Sequence, residues 1–264
     1  MTSDDRFQRT QGVLSPAMIQ HLSEVHILIA GVGGAGGQVA VDLARLGFGY
    51  LTLADFDVYE RHNINRQVGC FESTLGQPKI DVVGRMCTDI NPGLQIRKVP
   101  EGITAENCRD LLTTSAFPAP YVVLEVIDGS AVPAKICLHD ACREEKIMIM
   151  TGIMVGFGGS LIAFAPDAPS FGQLFVHPDG RVNLASVVPQ LGSYFVKDFA
   201  EACFAGRGHA PTCVIGATTA SAMMVTEVIK GLLLGKKAMT TWPEYLYMDF
   251  FDQTFVRGTF DGSR

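Results

Sequence analysis

The chemistry most legible in this chain lies in Gly31-Val32-Gly33-Gly34-Ala35-Gly36, read with Asp55, Asn63-Ile64-Asn65-Arg66-Gln67 and Lys79 behind it. A glycine-rich turn lets backbone amides come close to phosphate. A helix starting on that turn adds unpaired N–H groups and a favourable dipole. Asp55 follows at the spacing of an acid that accepts hydrogen bonds from ribose hydroxyls. The glycines alone are a weak signal, because tight turns use glycine for steric reasons. The polar set discriminates between two chemistries. A dinucleotide dehydrogenase holds its pyrophosphate largely with backbone amides and has no use for several cations there. A triphosphate about to be cleaved does need them: Arg braces phosphate oxygens in a fork, and Lys acts as a point charge. Taken singly, Arg66 or Lys79 reads as an ordinary surface charge.

These residues need a strand, a turn and a helix to hold them. Val25-His26-Ile27-Leu28-Ile29-Ala30 is a short apolar run of the kind buried in a parallel sheet. From Gln38 to Leu46 the apolar residues Val39, Leu43 and Leu46 recur at helical spacing, and Tyr50 to Asp55 forms the next strand. Further helical patterns cover Lys79–Ile90, Ala105–Leu112 and Ala131–Glu145, with strands near Leu94–Val99, Tyr121–Ile127 and Ile147–Thr151. Asp128 ends the apolar strand at Tyr121–Ile127, on the carboxyl edge where ligands sit in open α/β sheets. A hard oxygen ligand there suits Mg held between carboxylate and phosphates. The bland alternative makes Asp128 the N-cap of the helix starting near Ala131.

The alternation predicts an α/β fold: a Rossmann-like, mainly parallel sheet with helices on both faces. It is extended by antiparallel strands in the C-terminal half, where Gly152 to Phe175 is glycine-rich with runs such as Ser160-Leu161-Ile162-Ala163-Phe164. Gly180 to Pro211 is irregular, with one short helix around Tyr194–Phe204. No repeat or linker divides the 264 residues, so a single domain is expected. Within it, residues 1–24 form an N-terminal arm and helix, and 25–151 the nucleotide-binding half. Residues 152–264 supply the antiparallel extension, a crossover loop, and a last helix with strands.

The chain resembles the ThiF/MoeB family of adenylating enzymes, relatives of the ubiquitin-activating enzymes. The resemblance rests on Gly31–Gly36, Asp55-Phe56-Asp57, Asn63-Ile64-Asn65-Arg66-Gln67, Gly76-Gln77-Pro78-Lys79 and Val126-Ile127-Asp128. It implies ATP bound by Gly31, Gly33, Gly34, Gly36, Asp55 and Asp57. Asn63, Arg66, Gln67 and Lys79 then contact phosphates, and Asp128 serves Mg. It also implies a homodimer in which an N-terminal Arg reaches the other subunit's site; Arg9 of Arg6-Phe7-Gln8-Arg9 is the expected finger and Arg6 the alternative. The family usually has Asn after the later Asp, where this chain has Gly129.

Cysteine usage narrows the reading. Seven scattered cysteines with no export signal argue for reduced thiols. No Cys-x-x-Cys pair exists, so a four-thiolate zinc site cannot form. Many relatives carry such a site in a Pro-Cys-x-x-Cys stretch, and Pro169-Ser170-Phe171-Gly172-Gln173 stands there with Ser and Gln in place of the thiols. The expectation is a zinc-free variant. Some relatives pass the acyl group to a thiol, which makes Cys203 and Cys213 the candidates, with His209 nearby as base or solvated loop residue. Cys213 opens an apolar stretch and reads better as a packed thiol than a nucleophile.

A net charge of −6 and the absence of a basic run speak against nucleic acid. The polar first residues are no signal peptide. The apolar stretch Cys213 to Gly235 is interrupted by Glu227 and Lys230, which suits a buried helix better than a bilayer. A soluble cytoplasmic protein with no membrane partner is expected. The resulting expectation is ATP-dependent adenylation of a carboxylate on a ubiquitin-like or carrier protein or a peptide. Its alternatives are a dehydratase-like enzyme acting on a small molecule or tRNA, a nicotinamide-dependent oxidoreductase, and an inactive partner subunit of an activating complex.

Overall fold

Eight strands form one sheet in the order β3-β2-β1-β4-β5-β6-β7-β8. The chain was analysed as a computed structural model, which describes residues 5–176, 179–180, 192–198 and 211–260. The first half runs α1 (Pro16–Leu22), β1 (His26–Ala30), α2 (Gly34–Leu46), β2 (Tyr50–Ala54), α3 (Lys79–Ile90) and β3 (Gln95–Val99). Then come α4 (Asp110–Thr113), β4 (Val122–Glu125), α5 (Val132–Glu144) and β5 (Met148–Val155). The remainder is β6 (Gly158–Phe164), α6 (Phe171–Phe175), α7 (Val214–Leu234), β7 (Glu244–Asp249) and β8 (Thr254–Thr259).

The five strands β3-β2-β1-β4-β5 pair in parallel. The next three pairings, β5–β6, β6–β7 and β7–β8, are antiparallel. The expected Rossmann-like sheet with an antiparallel extension is therefore present. Chain order reverses between β1 and β4, so their carboxyl ends bound the crevice in which such sheets bind ligands.

Alternation along the strands builds two cores. Ile27 and Ile29 of β1 join Leu51, Leu53, Val39 and Leu43 beneath α2 and α7. Leu28 and Ala30 point the other way, joining Val123, Leu138, Ile149 and Phe164 beneath α5 and α6. Burial on both faces explains why β1 reads as an unbroken apolar run. Helix α7 is long and apolar enough to cross a membrane by length and composition. In this fold it lies against the sheet: the Cβ position of Gly159 would be 3.1 Å from the Ala220 backbone. Ser221 Oγ also donates to Asp42 of α2 at 2.7 Å, and buried Glu227 accepts from Thr240 N and Lys230.

Three expectations change. Helix α2 begins at Gly34 rather than Gln38, because its glycines lie inside the first turn. The helix expected over Ala105–Leu112 is reduced to Asp110–Thr113. Thr104 and Asn107 instead exchange side-chain-to-backbone bonds, while Asn107 Nδ2 donates to Gly102 O, a local alternative to helix. The same segment corrects the expectation of reduced thiols throughout. Cys108 meets Cys137 of α5 as a disulfide with Cα atoms 6.6 Å apart. Cys70, Cys87 and Cys142 are buried free thiols. The helix expected around Tyr194–Phe204 extends into residues outside those described, as do Cys203 and His209.

His26 sits inside the sheet, its Nδ1 2.7 Å from Pro118 O and its Nε2 2.9 Å from Thr52 Oγ1. The carbonyl requires Nδ1 to donate, and in the neutral ring that burial favours, Nε2 accepts from Thr52. Burial lowers its pKa, Arg97 adds to that, and the Pro118 bond opposes it. The unfolded chain therefore binds the proton more readily, and stability falls as pH drops from about 6.5 towards the lowered value. Thermal unfolding between pH 7.5 and 5.0 is expected to show Tm falling with pH, with a shallower slope in His26→Gln.

Candidate nucleotide site

The glycine turn is a matter of close approach before it is a matter of ligand. Gly31 follows β1 with φ 94°, the left-handed region that favours glycine. A Cβ there would fall 2.7 Å from Val126 O, and one on Gly36 would fall 1.9 Å from Gly31 O. The turn thus packs backbone to backbone against the segment that leaves β4. Gly34 is buried beneath Met154 of β5 and the aliphatic stem of Arg66, whose Cγ is 3.5 Å from its Cβ position.

Asp55 lies just past β2. Its Oδ2 accepts from Val32 N at 2.6 Å and its Oδ1 from Asp57 N at 2.8 Å. One carboxylate so ties the phosphate turn to the β2 exit. Burial raises its pKa, against the Val32 and Asp57 bonds and the charge of Lys79, which lower it. Asp57 in turn holds Lys79, the first residue of α3: Nζ to Oδ2 is 2.7 Å, and the Lys79 amide donates to Asp57 O at 3.0 Å. Lys79 is only 5% exposed, an ammonium brought indoors with a partner.

Asn63, Arg66 and Gln67 come from the short turn after Arg61. Asn63 is buried and its Oδ1 accepts from Glu60 N at 3.1 Å, so this side chain folds the turn that presents its neighbours. Arg66 NH1 donates to Asn65 Oδ1 at 2.8 Å and His62 O at 3.3 Å. Among the described residues its Nε is buried with no hydrogen-bond partner, as is Oε1 of Gln67. Burial lowers the Arg66 pKa and the charge of Asp128 raises it. Arg66 therefore spans the crevice, its stem over Gly34 and its charge felt by Asp128. Asp128 is fixed by Ser130, whose N and Oγ donate to Oδ1 at 2.9 and 2.7 Å. The N-cap of α5 is Ala131, so Asp128 is one turn short of being the helix cap.

The structure gathers Gly31, Gly33, Gly34, Gly36, Asp55, Asp57, Lys79, Asn63, Arg66, Gln67 and Asp128 at the carboxyl ends of β1, β2 and β4. Arg9 is elsewhere. Phe7 lies against Gly47, at the far end of α2 from the glycine turn, and Arg6 NH1 donates to Asn91 Oδ1 at 3.0 Å beyond α3. Thirteen helical residues at about 1.5 Å each place the turn about 20 Å from that anchor. Cys213 is half-buried rather than packed in the core. It precedes α7 and its Sγ donates to Gly156 O at 3.4 Å. Ser170 and Gln173, at the positions of the expected thiols, form a capping box on α6. Among the described residues no group of three or more His, Cys, Asp or Glu is arranged to hold a metal.

Two contacts were not legible in the sequence. Asn65 Nδ2 donates to Thr212 O at 3.3 Å, which joins the Arg66 turn to the segment entering α7. Met154 on Gly34 joins the antiparallel half to the glycine turn. Neither residue type marks such a role; only the sheet topology brings them there.

The sequence and the fold are both similar to known proteins. The sequence model described as ThiF family matches residues 7–261. The chain is 28% identical over 176 residues to the SAMP-activating enzyme E1 of Haloferax volcanii, covering 66% of this chain and 63% of that one. It is 33% identical over 156 residues to the tRNA threonylcarbamoyladenosine dehydratase of Haemophilus influenzae, covering 59% and 57%. The chain thus spans less than two thirds of the length of these curated relatives. Its fold is similar to Escherichia coli MccB solved with AMPCPP and MccA, at TM-score 0.72 and 17% identity, over 98% of this chain and 72% of that one.

The packing predicts two opposite outcomes for neighbouring glycines. Gly36→Ala forces a methyl group into backbone and is expected to cost about 3 kcal/mol, as overpacking does. Gly129→Asn enters open space and is expected to cost less than about 0.5 kcal/mol. Urea unfolding of the two variants checks both values.

Proposed function

The chain belongs to the ThiF family, and from that premise we propose that it is an ATP-dependent adenylyltransferase activating a carboxylate. The observation that carries the reading is Arg66. Arg66 has a buried Nε with no hydrogen-bond partner among the described residues, its stem over the start of a glycine-led helix and its charge felt by Asp128, and so calls for an anionic ligand. Asp55 then holds ribose, while Gly31, Gly33, Gly34 and Gly36 let the backbone reach phosphate. Arg66, Gln67, Asn63 and Lys79, with Asp57 behind Lys79, brace the phosphate oxygens. Asp128 fits as a hard oxygen donor, and bound Mg would supply charge neutralisation between it and the phosphates.

The substrate carboxylate oxygen attacks the α-phosphorus as the bond to pyrophosphate breaks, giving an acyl-adenylate and free pyrophosphate. The chain contributes alignment and fixed positive charge rather than a strong base. The anchor of Phe7 at the far end of α2 supports a homodimer in which Arg9 acts on the other subunit's nucleotide. The acyl substrate we favour is the C-terminus of a ubiquitin-like or carrier protein or a peptide. The relatives named for SAMP activation and solved with MccA support that class. The likeness to a tRNA dehydratase keeps a tRNA-linked carboxylate as the second reading, against which stands the net charge of −6. A redox use of the same turn would leave Arg66, Gln67 and Lys79 without work.

ATP–pyrophosphate exchange, screened against small carrier proteins and peptides and against tRNA, tests the reading. Asp128→Ala and Arg66→Ala are expected to lower exchange by about 10²–10³, the usual cost of one transition-state charge contact. Cys213→Ala is expected to leave it nearly unchanged; normal exchange by the first two variants would sink the assignment. Mixing Arg9→Ala with Asp128→Ala subunits should restore part of the activity, and heterodimers without recovery would remove Arg9 from the site.

A further inference from the structure

A second set of buried polar side chains lies beneath the Asp128 loop. Glu125, the last residue of β4, is fully buried. Its Oε1 accepts from Lys135 Nζ at 2.6 Å and from the Ile127 amide at 2.8 Å. Its Oε2 accepts from Thr151 Oγ1 at 2.9 Å and lies 3.6 Å from His139 Nε2. Lys135, His139 and Thr151 are buried as well. Burial pushes the Glu125 carboxyl up, but the Lys135 charge and the His139 and Lys135 hydrogen bonds outweigh it and hold the group well below the usual carboxylate range. Burial lowers His139, packed between Phe164 and Phe171, against the pull of Glu125.

Stability alone does not account for this cluster. A buried ion pair can often be replaced by apolar residues of similar volume with no loss of stability. Its placement is what matters. Val126 N still pairs with Ala30 O of β1, but the Ile127 amide has left the sheet and donates to Glu125. Asp128 is the next residue. Lys135 on α5 and Thr151 on β5 hold the two carboxylate oxygens from different elements, which leaves Glu125 one orientation.

We propose that Glu125, Lys135, Thr151 and His139 are positioning residues that set the Asp128 loop for the nucleotide through the Ile127 amide. They touch no substrate; they act through Asp128, and the proposal rests on the reading of Asp128 as the residue that serves Mg–ATP.

The test is the double variant Glu125→Leu/Lys135→Met in the full chain, read by amide hydrogen exchange and by calorimetric binding of ATP with and without Mg, and of AMP. The folded variant is expected to exchange the Ile127 amide at least about tenfold faster, an opening confined to this loop. The gain in ATP affinity on adding Mg should shrink about tenfold while AMP affinity holds, and Lys135→Arg, which keeps the charge, should preserve both. A folded double variant with wild-type exchange at Ile127 overturns the proposal. Should the double variant not fold, Thr151→Val removes one tether at nearly constant shape: faster Ile127 exchange supports the proposal, and unchanged exchange overturns it. A wild-type chain that shows no Mg-dependent ATP binding defeats the functional reading instead, and the exchange measurement still decides whether the network orders the loop.

Discussion

The site depends on one steric fact, the contact of two backbones. Gly31 lets the turn after β1 lie directly on the segment that leaves β4, and Gly36 lets α2 start against Gly31, at distances where a methyl group would overlap a carbonyl. In an open parallel sheet the chain reverses order at this point, and the two exits diverge to form a crevice. Here the crevice floor is drawn tight. That brings the start of α2 and the Asp128 loop close enough for one arginine to reach both. Without the close approach, Arg66 could sit over Gly34 or opposite Asp128, but not both at once.

Around that floor the charges are arranged as pairs, each tying together elements distant in sequence. Asp55 spends both oxygens on backbone amides of two different loops. Asp57 holds Lys79 at the first turn of α3. Glu125 holds Lys135 from α5 while taking the Ile127 amide. Asp55 and Glu125 are satisfied by partners that are themselves fixed, so the cost of burying them is offset, while the exposed Asp57 neutralises the buried Lys79. Arg66 differs, because its buried Nε has no hydrogen-bond partner among the described residues. The pattern separates the acids that tie the site together from Arg66 and Gln67, each with a buried polar atom unpartnered among the described residues.

Much of this was legible in the sequence because its signals are local. The helix over Lys79–Ile90 matches its apolar period residue for residue, and β1 and β2 match their apolar runs. Of the candidate site residues, Gly31, Asp55 and Asp128 follow strand ends, where spacing alone places a side chain at the sheet's edge. What the sequence did not reveal depends on contacts between distant residues. Cys108 and Cys137 lie in a turn and a helix whose neighbourhood only the tertiary fold creates. The helix expected from Ala105 yielded to the Thr104–Asn107 exchange, where short polar side chains compete with the backbone for its own hydrogen bonds. Glu125 read as a lone acid in an apolar strand, because Lys135, His139 and Thr151 announce themselves only when α5 and β5 are laid beside β4.

The antiparallel half is more than an extension of the sheet. β5 pairs with β4 on one side and β6 on the other, and its far end carries Met154 onto the glycine turn. The same strand supplies Thr151 to the Glu125 cluster, three residues away and beneath the Asp128 loop. Asn65, beside Arg66, binds the carbonyl of Thr212, and the adjoining Cys213 bonds to Gly156 in the turn after β5. A displacement of β5 or of the segment entering α7 would therefore be felt at Gly34, at Asp128 and at Arg66. The antiparallel half is thus mechanically joined to the candidate nucleotide site. Ser170 and Gln173 cap α6, and Phe164, Phe171, Phe175, Trp242 and Phe260 pack there as one aromatic cluster. Aromatic packing of this kind buries a large apolar area at fixed ring geometry. It can hold the antiparallel strands in register against the parallel half.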